Sequence, residues 1–119
     1  MSSFITNKEA RILMDAYRKV RESMLQSEYK GKDTLSVCET FEKDQIQTIL
    51  DKPGAQGLRI YYGMDTTLKV HAILCAVDAT GKDILSDAGA GISLTDGSDT
   101  LEEGKRCPPD CPPPSGFYP

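Results

Sequence analysis

The side chains best suited to chemistry in this sequence are its four cysteines and its single histidine. Cys107 and Cys111 form a C-x3-C pair near the C-terminus, and Cys38, Cys75 and His71 are available as further ligands. Structural zinc prefers four Cys or His ligands and accepts pairs at this spacing. Zinc held by Cys107 and Cys111 is therefore one interpretation, although no second paired motif accompanies them.

A thiol function of the same pair is another interpretation. It requires a lowered thiolate pKa, which neighbouring cations promote. Lys105 and Arg106 precede Cys107 and act in that direction, whereas Asp110 opposes them. A short disulfide formed under oxidation, as a staple on the C-terminal tail, is a third interpretation. The sequence favours this structural or incidental role.

Catalytic motifs are not found in the sequence. It contains no G-x-S-x-G, no phosphate-cradling glycine loop and no H-E-x-x-H. The segment 78–83 resembles a calcium loop only superficially, because Gly89 stands where an EF-hand loop needs Glu. A β-turn is the preferred interpretation of that segment. His71 has no nucleophile or orienting carboxylate at a recognisable spacing, so we expect neither an enzyme nor a cofactor.

Residues 57–81 contain the strongest strand pattern. Leu58, Ile60 and Tyr62 alternate with Arg59 and Tyr61, which is the period of a strand with one buried face. A turn at 63–66 precedes a second apolar run over 67–77. The pattern predicts an antiparallel hairpin on which the rest of the chain packs.

The non-core face of this hairpin is the one surface to which the sequence assigns a binding role. If Leu58, Ile60 and Tyr62 point inward, the outward side chains are those of Arg59, Tyr61, Lys69 and His71. Arg and Tyr are enriched among interface anchors. Either an external partner or the proline-rich C-terminal tail is expected to cover this face.

Two helices and minor strands complete the prediction. Thr6 and Glu9 fit a capping box that opens an amphipathic helix over about Asn7–Gln26. A short strand is expected within Leu35–Phe41, and a second helix over about Glu42–Lys52 ends at Pro53-Gly54. Further short strands are expected at Ile84-Leu85 and at Ile92 and Leu94.

These elements predict an α+β fold: a small antiparallel sheet of three or four strands around the central hairpin, with two helices on one face. Residues 1–104 are predicted to form the single domain, and residues 105–119 a Pro/Cys-rich tail. The predicted core consists of strand residues buried beneath helix residues: Leu58, Ile60, Tyr62, Val70, Ala72 and Leu74 beneath Leu13, Met14, Tyr17, Ile46, Ile49 and Leu50.

Composition limits the class of partner. The net charge of −4 and the lack of a dense Lys/Arg cluster argue against nucleic acid. No apolar run approaches the ~20 residues that span a bilayer, so no membrane partner is expected. The N-terminus lacks the pattern of a secretory signal, which leads us to expect a cytoplasmic protein whose cysteines are free thiols.

The string PGAQGLRIYYGMD, the apolar strand after it, DATGKD and the terminal CPPDC together resemble small uncharacterised proteins of Bacteroidota. Those proteins carry a PGxxGIRIYYG-like segment, a DxxGxD-like turn and a CPPxC-like motif. The resemblance covers roughly residues 41–111. It implies a shared fold and a bacterial cytosolic setting, and it brings no activity.

The sequence thus predicts a small, soluble, non-catalytic interaction or accessory protein that binds another protein or itself. The alternative is a zinc- or thiol-dependent module that uses Cys107 and Cys111.

Overall fold

The computed structural model describes residues 4–85, 100–102, 104–114 and 116–118. Its main elements, in chain order, are α1 (Asn7–Val20), β1 (Cys38–Thr40), α2 (Lys43–Leu50), β2 (Gly57–Met64), β3 (Val70–Val77) and β4 (Lys105–Cys107). The predicted α+β class, with two helices and small antiparallel sheets, is confirmed. The strands form two sheets of two, β2–β3 and β1–β4. The strand predicted at Ile92 and Leu94 lies outside the described residues.

The β2–β3 hairpin confirms the predicted central element. Its strands pair over their full length, with Gly57 opposite Val77 and Met64 opposite Val70. Asp65 closes the turn by accepting hydrogen bonds from the Thr67 amide at 2.8 Å and the Lys69 amide at 3.1 Å. The alternation and the Asp-containing turn were therefore sufficient to predict this unit.

The turn after β3 repeats the same chemistry. Asp78 accepts from the Thr80 amide at 2.9 Å and the Lys82 amide at 3.0 Å. Gly81 occupies the left-handed region here, with φ +88°. Beyond it, Asp83 forms a single antiparallel bridge with Val77, directly before Ile84-Leu85, the predicted site of a brief third strand.

Helix α1 begins where the sequence places it, because the Thr6 hydroxyl accepts from the Glu9 amide at 3.0 Å. It ends at Val20, six residues earlier than predicted, and none of its residues is buried. Two side chains at its C-terminal end bond backbone carbonyls far along the chain. Tyr17 of α1 donates to the Ser36 carbonyl at 2.5 Å, and Arg21, which follows the last helical residue, donates to that of Leu35. Helix α1 is thus fixed to the segment that leads into β1.

The described core is centred on Ile49 of α2, which packs against Leu74 and Ala76 of β3. Partly buried side chains surround this contact: Phe41, Ala55, Ala72, Ile84 and Leu101. Leu101 also exchanges two backbone hydrogen bonds of 2.8 Å with Leu74. Gly104 lies against the Phe41 ring, where an added Cβ would come within 2.7 Å of it.

The predicted core was wrong for the β2 half of the hairpin. Ile60 is 48% exposed and Tyr62 75% exposed, and Leu58 is exposed as well. Leu13 and Leu50, predicted to cover them, are also exposed. The other predicted core positions are half-buried or, for Leu74 and Ile49, buried.

The physical reason lies in the coverage of the hairpin by α2. Ile60 lies opposite Leu74 and shares its face, as the alternation requires. Helix α2 has only eight residues and covers the β3 side of that face, whereas the hydrogen bonds of α1 are directed elsewhere. Alternation decides which residues share a face, and the placement of helices decides which part of it is buried.

Strand β4 comprises the first three residues of the predicted tail. It pairs with β1, placing Arg106 opposite Glu39 and Cys107 opposite Cys38. Arg106 is 5% exposed. Its guanidinium donates to the Val70 carbonyl at 2.9 Å, and to those of residues 33 and 34 at 2.8 and 3.2 Å. Arg106 therefore links the β1–β4 sheet to the beginning of β3.

None of the helices in the described ranges has the length and hydropathy that crossing a bilayer requires.

Candidate functional site

The predicted binding face places Arg59 and Tyr61 side by side on β2. Both side chains bond one carboxylate, because Arg59 donates to Asp83 at 2.7 Å and the Tyr61 hydroxyl donates to it at 2.5 Å. The hydrogen bond from Tyr61, together with Arg59, lowers the pKa of Asp83 below its usual value. Asp83 follows the second turn, so the fold returns its carboxylate to the hairpin's own face.

His71 lies on the same face, opposite Gly63 in the ladder. Its Nε2 is 2.6 Å from Asp65 and its Nδ1 is 3.5 Å from Glu102. Hydrogen bonds from Thr67 and from His71 hold the pKa of Asp65 well below its usual value. Asp65 is the residue that closes the turn, so His71 reinforces the hairpin.

Lys69, the fourth predicted residue, lies in the turn, where its amide donates to Asp65 at 3.1 Å. The four predicted residues are therefore brought close to one strand face and its turn. Three of them bond carboxylates of the same chain through their polar groups: Arg59, Tyr61 and His71. This arrangement stabilises the two turns around β3 rather than presenting free anchors. The contacts described above for Arg59, Tyr61 and His71 are made with Asp83 and Asp65, not with the predicted tail (residues 105–119).

The opposite face of β2 carries the exposed apolar side chains. Four alternating residues share it, and each is at least 38% exposed: Leu58, Ile60, Tyr62 and Met64. Arg59 and Tyr61, which lie between these residues on β2, point to the other face. Contiguous exposed apolar surface of this kind marks an interaction site more often than a scattered apolar residue does.

The outer edge of β2 lies next to this apolar face. In the described part of the chain only β3 pairs with β2. On β3, the backbone of Leu74 bonds that of Leu101, and the Ala76 carbonyl accepts from the Ile84 amide. Since these partners lie outside β2, the even-numbered residues of β3 direct their backbone N–H and C=O groups away from β2. By the antiparallel register, the even-numbered residues of β2 likewise direct theirs away from β3. The outward N–H and C=O groups thus belong to the residues with the exposed apolar side chains.

The cysteines form a second group of interest. Cys107 and Cys111 are joined in a disulfide, with 4.4 Å between their Cα atoms. Cys38 is a free thiol directly across the ladder from Cys107, and Cys75 is a buried thiol on β3. Burial raises the pKa of the Cys75 thiol. With both sulfurs bonded to each other, Cys107 and Cys111 offer no thiolate to zinc.

The described residues also contain no group of three or more Cys, His, Asp or Glu side chains placed to hold a metal. Cys107 and Cys111 therefore form a short disulfide, as one of the interpretations of the sequence expected.

A cavity of about 310 Å³ lies between α1, β1 and the C-terminal residues. Its lining is mainly apolar: Met14, Arg18, Val37, Cys38, Pro112, Phe117 and Tyr118. Arg18 donates to the Phe117 carbonyl at 3.0 Å and lies 5.7 Å from the centre of the Tyr118 ring. The C-terminal residues therefore pack against α1, and Cys38 reaches the space between them.

Three features escaped the sequence analysis: the exposure of the β2 apolar face, the burial of Arg106, and the position of Cys38 opposite Cys107. A signal existed for the first, since β2 contains no lysine or proline to protect an edge. The other two depend on the pairing of β1 with β4, which local patterns do not report.

Comparisons of the chain with protein-family models, with curated proteins and with solved structures find no match. The resemblance to small Bacteroidota proteins stays a prediction.

Proposed function

We propose that this chain is a non-catalytic interaction protein that binds a second copy of itself through β2. The observation that carries the proposal is that the edge of β2 that no other described strand pairs belongs to the same residues as an exposed apolar face. We define the β2 surface as Leu58, Ile60, Tyr62 and Met64 together with the outward backbone groups of these residues. It replaces the Arg59, Tyr61, Lys69 and His71 surface as the proposed binding site.

The edge of β2 has the properties that favour strand addition. It is eight residues long and contains neither proline nor lysine. Natural edge strands of this length are usually protected by such residues, by bulges or by a covering element. An added strand would satisfy the outward N–H and C=O groups, which supply affinity in this mode of recognition.

The sequence of β2 is complementary to itself about a two-fold axis at Tyr61. In that antiparallel register, Leu58 faces Met64 of the second copy, and Ile60 faces Tyr62. These pairs join even-numbered residues, so every outward backbone group finds a partner. The apolar side chains meet as cross-strand pairs, which stabilise sheets by roughly 0.2–1 kcal/mol each.

Charge does not oppose this pairing. Arg59 is the only charged residue in β2, and Asp83 of its own chain is 2.7 Å from it. In the proposed register, Arg59 faces Gly63 of the second copy rather than another cation. A strand whose single charge is balanced by Asp83 of its own chain is therefore a suitable surface for self-association in a chain of net charge −4.

Sedimentation equilibrium over a wide range of protein concentration tests the proposal. We expect the parent to form dimers, Ile60→Lys to be monomeric because it places a charge in the apolar pairs, and Tyr62→Pro to be monomeric as well. The Tyr62 N–H points away from β3, so proline removes an outward donor and leaves the internal ladder intact. Circular dichroism of each variant verifies that the hairpin is retained.

The matched control is Leu13→Lys, which changes an apolar residue that is 64% exposed on α1. It should dimerise like the parent. A parent that stays monomeric at every concentration overturns the proposal. So does an Ile60→Lys variant that dimerises as strongly as the parent while remaining folded.

Nucleic acid is not proposed as a partner because of the negative net charge. A cytoplasmic location stays a prediction, and the Cys107–Cys111 disulfide is an observation against it because disulfides persist mainly in oxidising compartments. Trapping the thiols with an alkylating reagent in intact cells of the native host, followed by mass analysis, decides which oxidation state applies.

A further inference from the structure

Three of the four cysteines meet at the β1–β4 sheet, away from the β2 surface. Cys38 and Cys107 are directly opposed in the antiparallel ladder, and Cys107 is bonded to Cys111. Opposed residues in such a ladder have Cα atoms about 4.5–5.5 Å apart and side chains on one face. Disulfides accept Cα separations of about 4.4–6.8 Å. The positions of Cys38 and Cys107 are therefore compatible with a second disulfide.

The three cysteine residues differ in their exposure to solvent. Cys107 is 1% exposed, Cys38 is half-buried and Cys111 is exposed. Cys38 lines the same cavity as Pro112, the residue that follows Cys111. A thiol from solution thus meets Cys111 first, whereas the buried Cys107 lies directly opposite Cys38 in the ladder.

We propose that Cys38, Cys107 and Cys111 form a thiol–disulfide exchange site, in which Cys107 alternates between two partners. The Cys38 thiolate attacks the Cys107 sulfur, the Cys38–Cys107 bond forms, and the Cys107–Cys111 bond breaks. Cys111 leaves as a thiolate and takes up the proton that Cys38 lost. One disulfide replaces another, so the step needs no external oxidant or reductant.

The exchange moves the free thiol from a half-buried position to the surface. With Cys107–Cys111 bonded, the free thiol of the site is Cys38, inside the cavity lining. With Cys38–Cys107 bonded, it is Cys111. The exposed thiol can then attack a disulfide of another molecule, forming a mixed disulfide at Cys111 and releasing that molecule's other sulfur as a thiolate. The ligand class of the site is therefore a disulfide.

Peptide mapping distinguishes the two bonds. Trypsin cleaves after Arg106 and after the lysines on either side of Cys38, so Cys107 and Cys111 remain in one peptide while Cys38 lies in another. The Cys38–Cys107 bond joins two peptides, whereas the Cys107–Cys111 bond lies within one. Incubating the folded parent with N-ethylmaleimide, without reductant, should label Cys111 and trap the joined peptides.

Two variants and one control complete the test. Cys38→Ser should lose the labelling of Cys111, because its disulfide has no neighbouring thiol. Cys111→Ser, oxidised with glutathione disulfide, should yield the joined peptides. Cys75→Ser, which removes the buried thiol on β3, should behave like the parent. All labelling should be independent of protein dilution, as an intramolecular step requires.

The proposal is overturned if Cys38→Ser labels Cys111 as fast as the parent does. It is also overturned if Cys111→Ser gives no joined peptides, or gives them only in covalent dimers. The second variant keeps the test decisive should the first fold poorly.

Discussion

The β1–β4 sheet and the β2–β3 hairpin are stabilised by different interactions. The β1–β4 sheet has three-residue strands, and its fixed points are a disulfide, the buried Arg106 and hydrogen bonds from α1 to the preceding segment. The hairpin has eight-residue strands and an Asp-closed turn at each end of β3, and among the described residues its buried core contact lies on β3. The three-residue strands are held by specific polar and covalent bonds, whereas the eight-residue ladder is maintained although the apolar side chains of β2 are exposed.

The same difference separates the candidate functions. The three opposed sulfurs lie in the sheet that is tied in place, where an exchange reaction needs fixed geometry. The proposed self-association surface lies on β2, whose alternating apolar side chains are exposed. The following predictions test this contrast, beginning with the largest expected effect.

Arg106→Met should destabilise the protein by about 4 kcal/mol, because it removes two charged donor nitrogens, Nε and the Nη2 that two carbonyls share. Hydrogen bonds from such a charged donor contribute roughly 1.5–3 kcal/mol each. Urea unfolding followed by circular dichroism measures the change. The exposed neighbour provides the control, and Lys105→Met should stay within about 0.5 kcal/mol of the parent. Equal effects of the two substitutions would show that Arg106 does not link the sheets.

Leu74→Ala and Ile60→Ala should differ although the two residues are opposite each other. Leu74 is 3% exposed, so its truncation should cost about 3 kcal/mol. Ile60 is 48% exposed, and its truncation should cost less than about 1 kcal/mol in dilute protein. Thermal melts of both variants measure this. Equal losses would mean that the β2 half of the face is covered.

Leu68→Gly should stabilise the hairpin. Leu68 has φ +67°, a conformation that costs a residue with a Cβ roughly 1–2 kcal/mol. Glycine avoids this cost, but part of the gain in stability is lost because glycine also raises the conformational entropy of the unfolded chain. Gly81 holds the corresponding position of the second turn, so Gly81→Ala should destabilise by about 1 kcal/mol. Opposite signs for the two substitutions are the expected result of chemical denaturation, and a loss in both would contradict it.

Lowering the pH should destabilise the hairpin, and we expect this to be the smallest of the four changes in stability. The pKa values of Asp65 and Asp83 are lowered by folding, so their contribution is complete above the ordinary Asp pKa of about 4. It is lost as the pH falls through the lowered folded values. Stability measured between about pH 7 and 2 should therefore fall at the acid end. Asp83→Asn should give a flatter profile, and an unchanged profile would assign the acid loss to other groups.

Local signals in the sequence determined a large part of this protein. The Thr6 cap began α1, the alternation along 57–77 defined the hairpin, and the Asp residues at 65 and 78 closed its turns. Each of these depends on residues close in the chain, whose period and hydrogen-bonding groups are visible in sequence. The shared face of Arg59, Tyr61 and His71 also follows from alternation alone.

Only the tertiary structure decided the rest. The pairing of β1 with β4 joins residues 38 and 107, and no periodicity specifies a register between segments so far apart. That pairing buries Arg106 and sets Cys38 against the disulfide. Likewise, the position of α2 over β3 left Ile60 and Tyr62 exposed. Periodicity reports which side chains point the same way, but burial depends on what a distant part of the chain places above them.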